Sequence, residues 1–179
     1  MLHGWPDDPR LFTPLAERLA GRGHKCVNIK LPSYPYPPDW KGTKEVLPGG
    51  ERKWGVVLAD VIELVRETVV FALGGIVPAT WIVHDWGAIY AYLVQKKYPE
   101  LFARLVSVDV GWITQPSLMQ TAFVLAYQSL LNVAWSLPPM LGDPLTNIVP
   151  TLGNRPPAKN SSSVSNVMNW PYRMAWRDV

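Results

Sequence analysis

Apolar positions in the first 110 residues switch repeatedly between helical spacing and short unbroken runs. Asp7-Asp8-Pro9 carries the signals that open a helix, and Leu11, Leu15 and Leu19 recur behind it until Gly21 and Gly23 interrupt. Residues 26–31 predict a strand closed by Pro32, and the proline-rich residues 32–38 predict an extended loop. Residues 53–70 hold the clearest helical pattern, with Trp54, Val57, Leu58, Val61, Ile62 and Val65 on one face. Leu73-Gly74-Gly75 stops it. Residues 79–84 form the kind of apolar run that a strand buried on both faces shows. A helix from Trp86 to about Tyr98, ending before Pro99, and a strand over 105–110 complete the series. Strands alternating with helices predict an α/β fold, a parallel sheet flanked by helices.

Beyond Gly111 the pattern changes, which predicts two domains, 1–111 and 112–179. Residues 112–137 read as helical. Pro138, Pro139, Pro144, Pro150, Pro156 and Pro157 are then expected to keep elements short, and Asn160-Ser161-Ser162-Ser163 to form a loop. The stretch from Leu118 to Leu137 is apolar enough to suggest a membrane span. Gln120, Gln128 and Asn132 interrupt it and it falls short of a bilayer's thickness, so a buried or lid helix is expected.

Composition narrows the function classes. Hydrophobic residues at 48% and charged residues at 17% fit a globular chain. The 17 basic and 14 acidic residues are scattered and sum to only +3, which argues against nucleic acid or an anionic membrane as partner. The single cysteine, Cys26, excludes an intramolecular disulfide, is expected as a small buried strand residue, and fits a reducing, cytoplasmic setting. Met1-Leu2-His3-Gly4 carries no charged and apolar leader pattern, so no signal peptide is expected.

Two short motifs carry the candidate chemistry. In Val83-His84-Asp85-Trp86-Gly87 an expected strand turns into an expected helix, the setting in which a nucleophile is lifted above a sheet. Gly87 and Ala88 supply the small residues such a turn needs, whereas Val83 is larger than the glycine usual two positions before the nucleophile. The backbone N–H of Trp86, first in the helix, is placed to stabilise developing negative charge. Aspartate here also fits a plain helix N-cap. In His3-Gly4-Trp5-Pro6, at a strand end before a helix, the N–H of Trp5 would be a second donor, and Gly4 permits close backbone approach. His3 and His84 read as structural, and His24 as exposed.

On these residues the chain resembles the epoxide hydrolase and haloalkane dehalogenase branch of the α/β-hydrolase superfamily, over roughly residues 1–110. The resemblance implies a partial α/β-hydrolase fold followed by the beginning of a helical cap. It also implies that Asp85 is a nucleophile: its carboxylate opens an epoxide or displaces a halide, and a histidine-activated water hydrolyses the resulting ester. The substrate would be a small apolar epoxide, haloalkane or ester, with no cofactor or metal. Trp5 stands where the dehalogenases usually carry asparagine, which favours the epoxide hydrolases. Asp109, at the end of the following strand, is a possible acid or an ordinary turn carboxylate. Tyr127 and Tyr172 are the candidates for the two cap tyrosines that hold an epoxide oxygen, or they simply pack. Trp112, Trp135, Trp170 and Trp176 are expected either to line an apolar pocket or to pack the cap.

The resemblance also implies what is missing. The order nucleophile, acid, histidine requires a histidine after Asp85, and none follows residue 84. Two N-terminal strands and most of a third would likewise lie outside the chain. Residues 1–179 are therefore expected to need a partner or further segments to complete the sheet, and not to turn over alone. A non-catalytic binding protein on a truncated hydrolase scaffold is the alternative.

Overall fold

In the computed structural model, which describes residues 1–31, 34, 58–110, 117–153 and 164–178, the sheet is organised around Leu2. Leu2 makes parallel bridges to Ile29 on one side and to Val83 on the other. Val83 lies in strand β1 (Ala79–His84), and β1 pairs in parallel with β2 (Phe102–Val108), His84 opposite Val108. This is the expected parallel arrangement, a two-stranded sheet extended at Leu2 by single bridges. The chain divides into two compact units, Met1–Gly111 and Trp112–Val179.

In the first unit a 3-10 turn (Pro9–Phe12) leads into α1 (Thr13–Ala20). Asp8 caps the turn, accepting from the Arg10 backbone N–H at 2.8 Å and pairing with its guanidinium at 2.6 Å. Burial works against the Asp8 carboxylate, but the bonds from Arg10 outweigh it and hold its pKa below the ordinary value. Helix α2 (Leu58–Leu73) buries Val61, Val65 and Val69, the face its spacing predicts, and runs three residues past the expected end at 70 before stopping ahead of Gly74. Helix α3 (Trp86–Lys97) joins β1 to β2 and buries Trp86, Gly87, Ala88, Tyr90, Ala91 and Val94. Glu63 of α2 accepts from Lys97 Nζ at 2.5 Å and from the hydroxyl of Tyr98, just past α3, at 2.6 Å, tying the two helices together.

Four expectations need correction here. Residues 26–31 do not form a strand: Ile29 makes one bridge, because Leu2 opposite it runs at once into a turn and the Leu31 N–H donates to a side chain instead. Cys26 is accordingly half-buried and outside any strand. Strand β2 begins three residues earlier than the apolar run suggests, because Phe102 stacks on Trp81 with ring centroids 4.3 Å apart. Leu11 and Leu15 are exposed, so their regular spacing does not mark a buried face. The extended loop expected over residues 32–38 falls, apart from Tyr34, outside the described residues, as do Trp54 and Val57.

The second unit consists of α4 (Leu118–Ser136), α5 (Pro139–Leu152), a 3-10 turn (Asn166–Asn169) and α6 (Trp170–Asp178). Ser117 and Gln120 form a capping box at the start of α4; residues 111–116, Trp112 among them, lie outside the described set. Proline does not keep α5 short: it runs 14 residues with Pro144 and Pro150 inside it. Each proline removes one backbone bond. Thr146 Oγ1, Asn147 Nδ2 and Thr151 Oγ1 bond the carbonyls of Gly142, Asp143 and Asn147 and bind the backbone from the side. Buried Asn166 then joins the elements, donating to the carbonyls of Ala134 at 2.7 Å and Leu137 at 2.9 Å, while its N–H donates to Asp143 at 2.6 Å. Pro156, Pro157 and residues 160–163 lie outside the described residues. Among those described, no helix is long and apolar enough to cross a membrane.

Candidate active site

The site is built where β1 ends. Asp85 follows His84 with φ +50° and ψ −125°, a conformation that side chains other than glycine seldom adopt. The strained residue turns the chain straight into α3 at Trp86, and the Ala88 N–H donates to the Asp85 carbonyl at 2.8 Å. The Asp85 side chain does not cap the helix, so the plain N-cap reading does not describe it.

The carboxylate turns instead to the segment after Leu2. Leu2 is held to β1 by its own N–H to the Ile82 carbonyl at 3.0 Å and by the His84 N–H to its carbonyl at 3.1 Å. The chain then leaves the sheet in a turn that the Asp7 N–H closes on the Gly4 carbonyl at 2.9 Å. Inside that turn the Trp5 N–H donates to Asp85 Oδ1 at 2.6 Å. A backbone donor aimed at a carboxylate oxygen is the arrangement that stabilises charge on that oxygen.

Two glycines permit the approach. A Cβ on Gly4 would lie 2.5 Å from the Trp86 nitrogen and 2.6 Å from Asp85 Cβ and Oδ1. A Cβ on Gly87 would strike the carbonyls of Leu2 and His3. Only residues without side chains let the turn and the start of α3 pack this closely.

His3 supports the turn from below. It is fully buried, its Nε2 accepts from the Leu31 N–H at 3.0 Å, and its Nδ1 lies 3.3 Å from the Gly4 carbonyl. Burial pushes its pKa down to about 4, against the opposing pull of the Gly4 carbonyl. Neutral and protonated at Nδ1, the ring satisfies both neighbours. Its edge packs on Tyr34 with centroids 4.8 Å apart.

His84 is buried beside the site, with Nδ1 3.6 Å from Asp7 Oδ2 and Nε2 3.4 Å from Asp109 Oδ2. Asp109 sits just past β2 at φ +77°. Two neighbours escaped the sequence analysis. Asp7 reads there only as a helix-opening residue, yet it faces His84. Tyr90 lies unremarked inside the helix expected from Trp86, yet it is buried, stacks on Trp86 at 5.9 Å, and has its hydroxyl pKa pushed well above the ordinary value by burial and then by the charge of Asp85. Only the four-residue spacing from Trp86 hinted at this.

In the second unit Tyr127 and Tyr172 meet edge to face at 6.0 Å, Tyr172 buried and the Phe123 ring tilted against Tyr127 at 5.6 Å. Trp135 and Trp170 are buried there, whereas Trp176 is exposed.

The Alpha/beta hydrolase family matches this chain over residues 1–179. Comparison with curated proteins finds no match. Among solved structures, the fold is similar to epoxide hydrolase VrEH1 from Vigna radiata, with TM-score 0.57 and 18% identity over 99% of this chain and 58% of that one. It is also similar to a "putative epoxide hydrolase" from Klebsiella pneumoniae subsp. pneumoniae MGH 78578, with TM-score 0.56 and 19% identity over 97% of this chain and 62% of that one. The chain thus spans about six-tenths of the length of the structures it matches.

Proposed function

The chain belongs to the alpha/beta hydrolase family, and we propose that within it Asp85 is the nucleophile of epoxide-hydrolase-type chemistry. The observation that carries this reading is the Trp5 N–H to Asp85 Oδ1 bond at 2.6 Å, made by an aspartate held at positive φ. The likeness to the two epoxide hydrolase structures supports it at the level of fold.

In this reading the two carboxylate oxygens take different parts. Oδ1, bonded to Trp5, becomes the ester carbonyl oxygen, and Oδ2 attacks an epoxide carbon. A carbon–oxygen bond forms as the ring carbon–oxygen bond breaks, leaving an alkoxide that takes a proton. Water then adds to the ester carbon, and the charge that builds on Oδ1 meets the N–H groups of Trp5 and of Trp86 at the start of α3. Collapse releases a diol and restores Asp85.

Residues 1–111 serve as the hydrolase core in this reading and 112–179 as the cap-like region. The contact of Tyr127 with Tyr172 supports keeping them as the pair that donates to an epoxide oxygen. None of the chain's three histidines is assigned the water-activating role. His3 is buried under the turn, His24 is exposed in the segment after α1, and His84 faces Asp7 and Asp109. Residues 1–179 by themselves are accordingly expected to form the ester once and to hold it. Asp109, beside His84, is kept as a possible acid; a haloalkane as alternative substrate would use the same attack by Oδ2.

The test is covalent labelling with styrene oxide followed by intact mass. The wild-type chain gains one adduct and Asp85→Asn gains none; an equal adduct on Asp85→Asn refutes the assignment.

A further inference from the structure

The ester chemistry gives His84 no part, although it is the residue before Asp85 and is buried. Its contacts suggest what it does. The backbone N–H of His84 holds the Leu2 carbonyl at 3.1 Å, and its ring Nδ1 lies 3.6 Å from Asp7 Oδ2, within ion-pair range but beyond a hydrogen bond. One residue therefore touches both ends of the segment from Leu2 to Asp7. Trp5, whose N–H reaches Asp85, lies between the two grips. That middle part lies outside the sheet: the chain turns away from β1 after the bridge at Leu2, and Pro6 has no N–H to offer. The ring's other nitrogen lies 3.4 Å from Asp109 Oδ2, just beyond β2, so the imidazole is itself oriented from the neighbouring strand.

We propose that His84 is a positioning residue for the Asp85 site: clasped between Asp7 and Asp109, it holds the turn so that the Trp5 N–H stays on the Asp85 carboxylate. Its consequence for the chemistry rests on the reading of Asp85 as nucleophile; its consequence for the turn does not. Displacing a charge-stabilising donor by a fraction of an ångström weakens it steeply, and a misplacement of about 1 Å in a catalytic group can cost about a hundredfold in rate.

The experiment uses the 179-residue chain with His84→Ala, Asp7→Asn and the double variant, and reads two signals. The first is the Trp5 backbone amide proton by NMR, far downfield when donating a short bond to a carboxylate. The second is the rate of adduct formation with excess styrene oxide. The proposal expects His84→Ala and Asp7→Asn each to move the Trp5 amide upfield and to slow labelling by about tenfold, within the hundredfold range above. It expects the double variant to be no slower than His84→Ala, since both changes break one clasp. An unmoved Trp5 amide in a folded single variant overturns it, and so does a double variant slowed by the product of the two single effects. Asp7→Asn keeps the test decisive if His84→Ala fails to fold. If even the wild-type chain forms no adduct, the nucleophile reading falls, and the Trp5 amide decides the positioning proposal by itself.

Discussion

Trp5 and Asp85 stand 80 positions apart in the chain, and the backbone N–H of Trp5 donates to Asp85 Oδ1 at 2.6 Å. The bond joins the residue after Gly4, where the chain leaves the sheet, to the residue that turns β1 into α3. Both partners are held by features that cost stability: a buried turn without room for a Cβ at Gly4, and a non-glycine residue at positive φ. Strain of this kind concentrates at functional sites because the surrounding structure has to impose it.

Gly4→Ala tests the close approach. The new Cβ would lie 2.5 Å from the Trp86 nitrogen, and backbone on one side and a short side chain on the other leave it nowhere to go. A loss of about 1–3 kcal/mol in unfolding free energy is expected, as for overpacking of a tight interior. Urea unfolding measures it, and labelling by styrene oxide should slow in parallel because the Trp5 N–H moves with the turn.

His3 makes stability depend on pH. Its pKa falls from 6.5 in the unfolded chain to about 4 when folded. Above pH 6.5 the ring is neutral in both states and nothing is lost. Below it the unfolded chain binds the proton first, so stability drops as pH falls and levels off below about 4. The shift of about 2.5 pH units corresponds to roughly 3 kcal/mol. Urea midpoints at pH 7 and pH 4.5 measure the drop, and His3→Asn should flatten this part of the curve.

Asn166→Ala tests what holds the second unit together. The side-chain amide donates to the Ala134 and Leu137 carbonyls, at 2.7 Å and 2.9 Å, in a buried setting. Leaving them unsatisfied costs about 1–3 kcal/mol for a buried polar group. A lowered thermal midpoint is expected, with the labelling of Asp85 in the folded protein unchanged.

Tyr127→Phe and Tyr172→Phe test the proposed oxygen donors. Each keeps the edge-to-face packing at 6.0 Å and removes only a hydroxyl. Removing one donor to a developing alkoxide should slow labelling by about a hundredfold, the usual effect of losing such a group. Unchanged unfolding midpoints would separate this from a packing defect.

Much of this was legible in the sequence because it rests on local signals. The run Ala79-Thr80-Trp81-Ile82-Val83-His84 is a strand over the residues expected, and Trp86–Lys97 is a helix ending one residue early. The segments His3-Gly4-Trp5-Pro6 and His84-Asp85-Trp86-Gly87 are distinctive in residue type and order, and the Trp5–Asp85 bond brings them together. What pattern could not supply was pairing at a distance. Residues 26–31 have strand composition, but among the described residues Ile29 bridges only to Leu2, so propensity lost to topology. Pro144 and Pro150 read as breakers, but side-chain bonds from Thr146, Asn147 and Thr151 and the seat of Asn166 carry α5 past them. The contacts of His84 with Asp7 and Asp109 join three positions that no spacing links.

Peptide mapping of the chain after exposure to styrene oxide tests Asp85 as the nucleophile at the residue itself. One equivalent of label is expected, carried as an ester on Asp85 and released by hydroxylamine. Label on the half-buried thiol of Cys26 alone, with Asp85 unmodified, would contradict it.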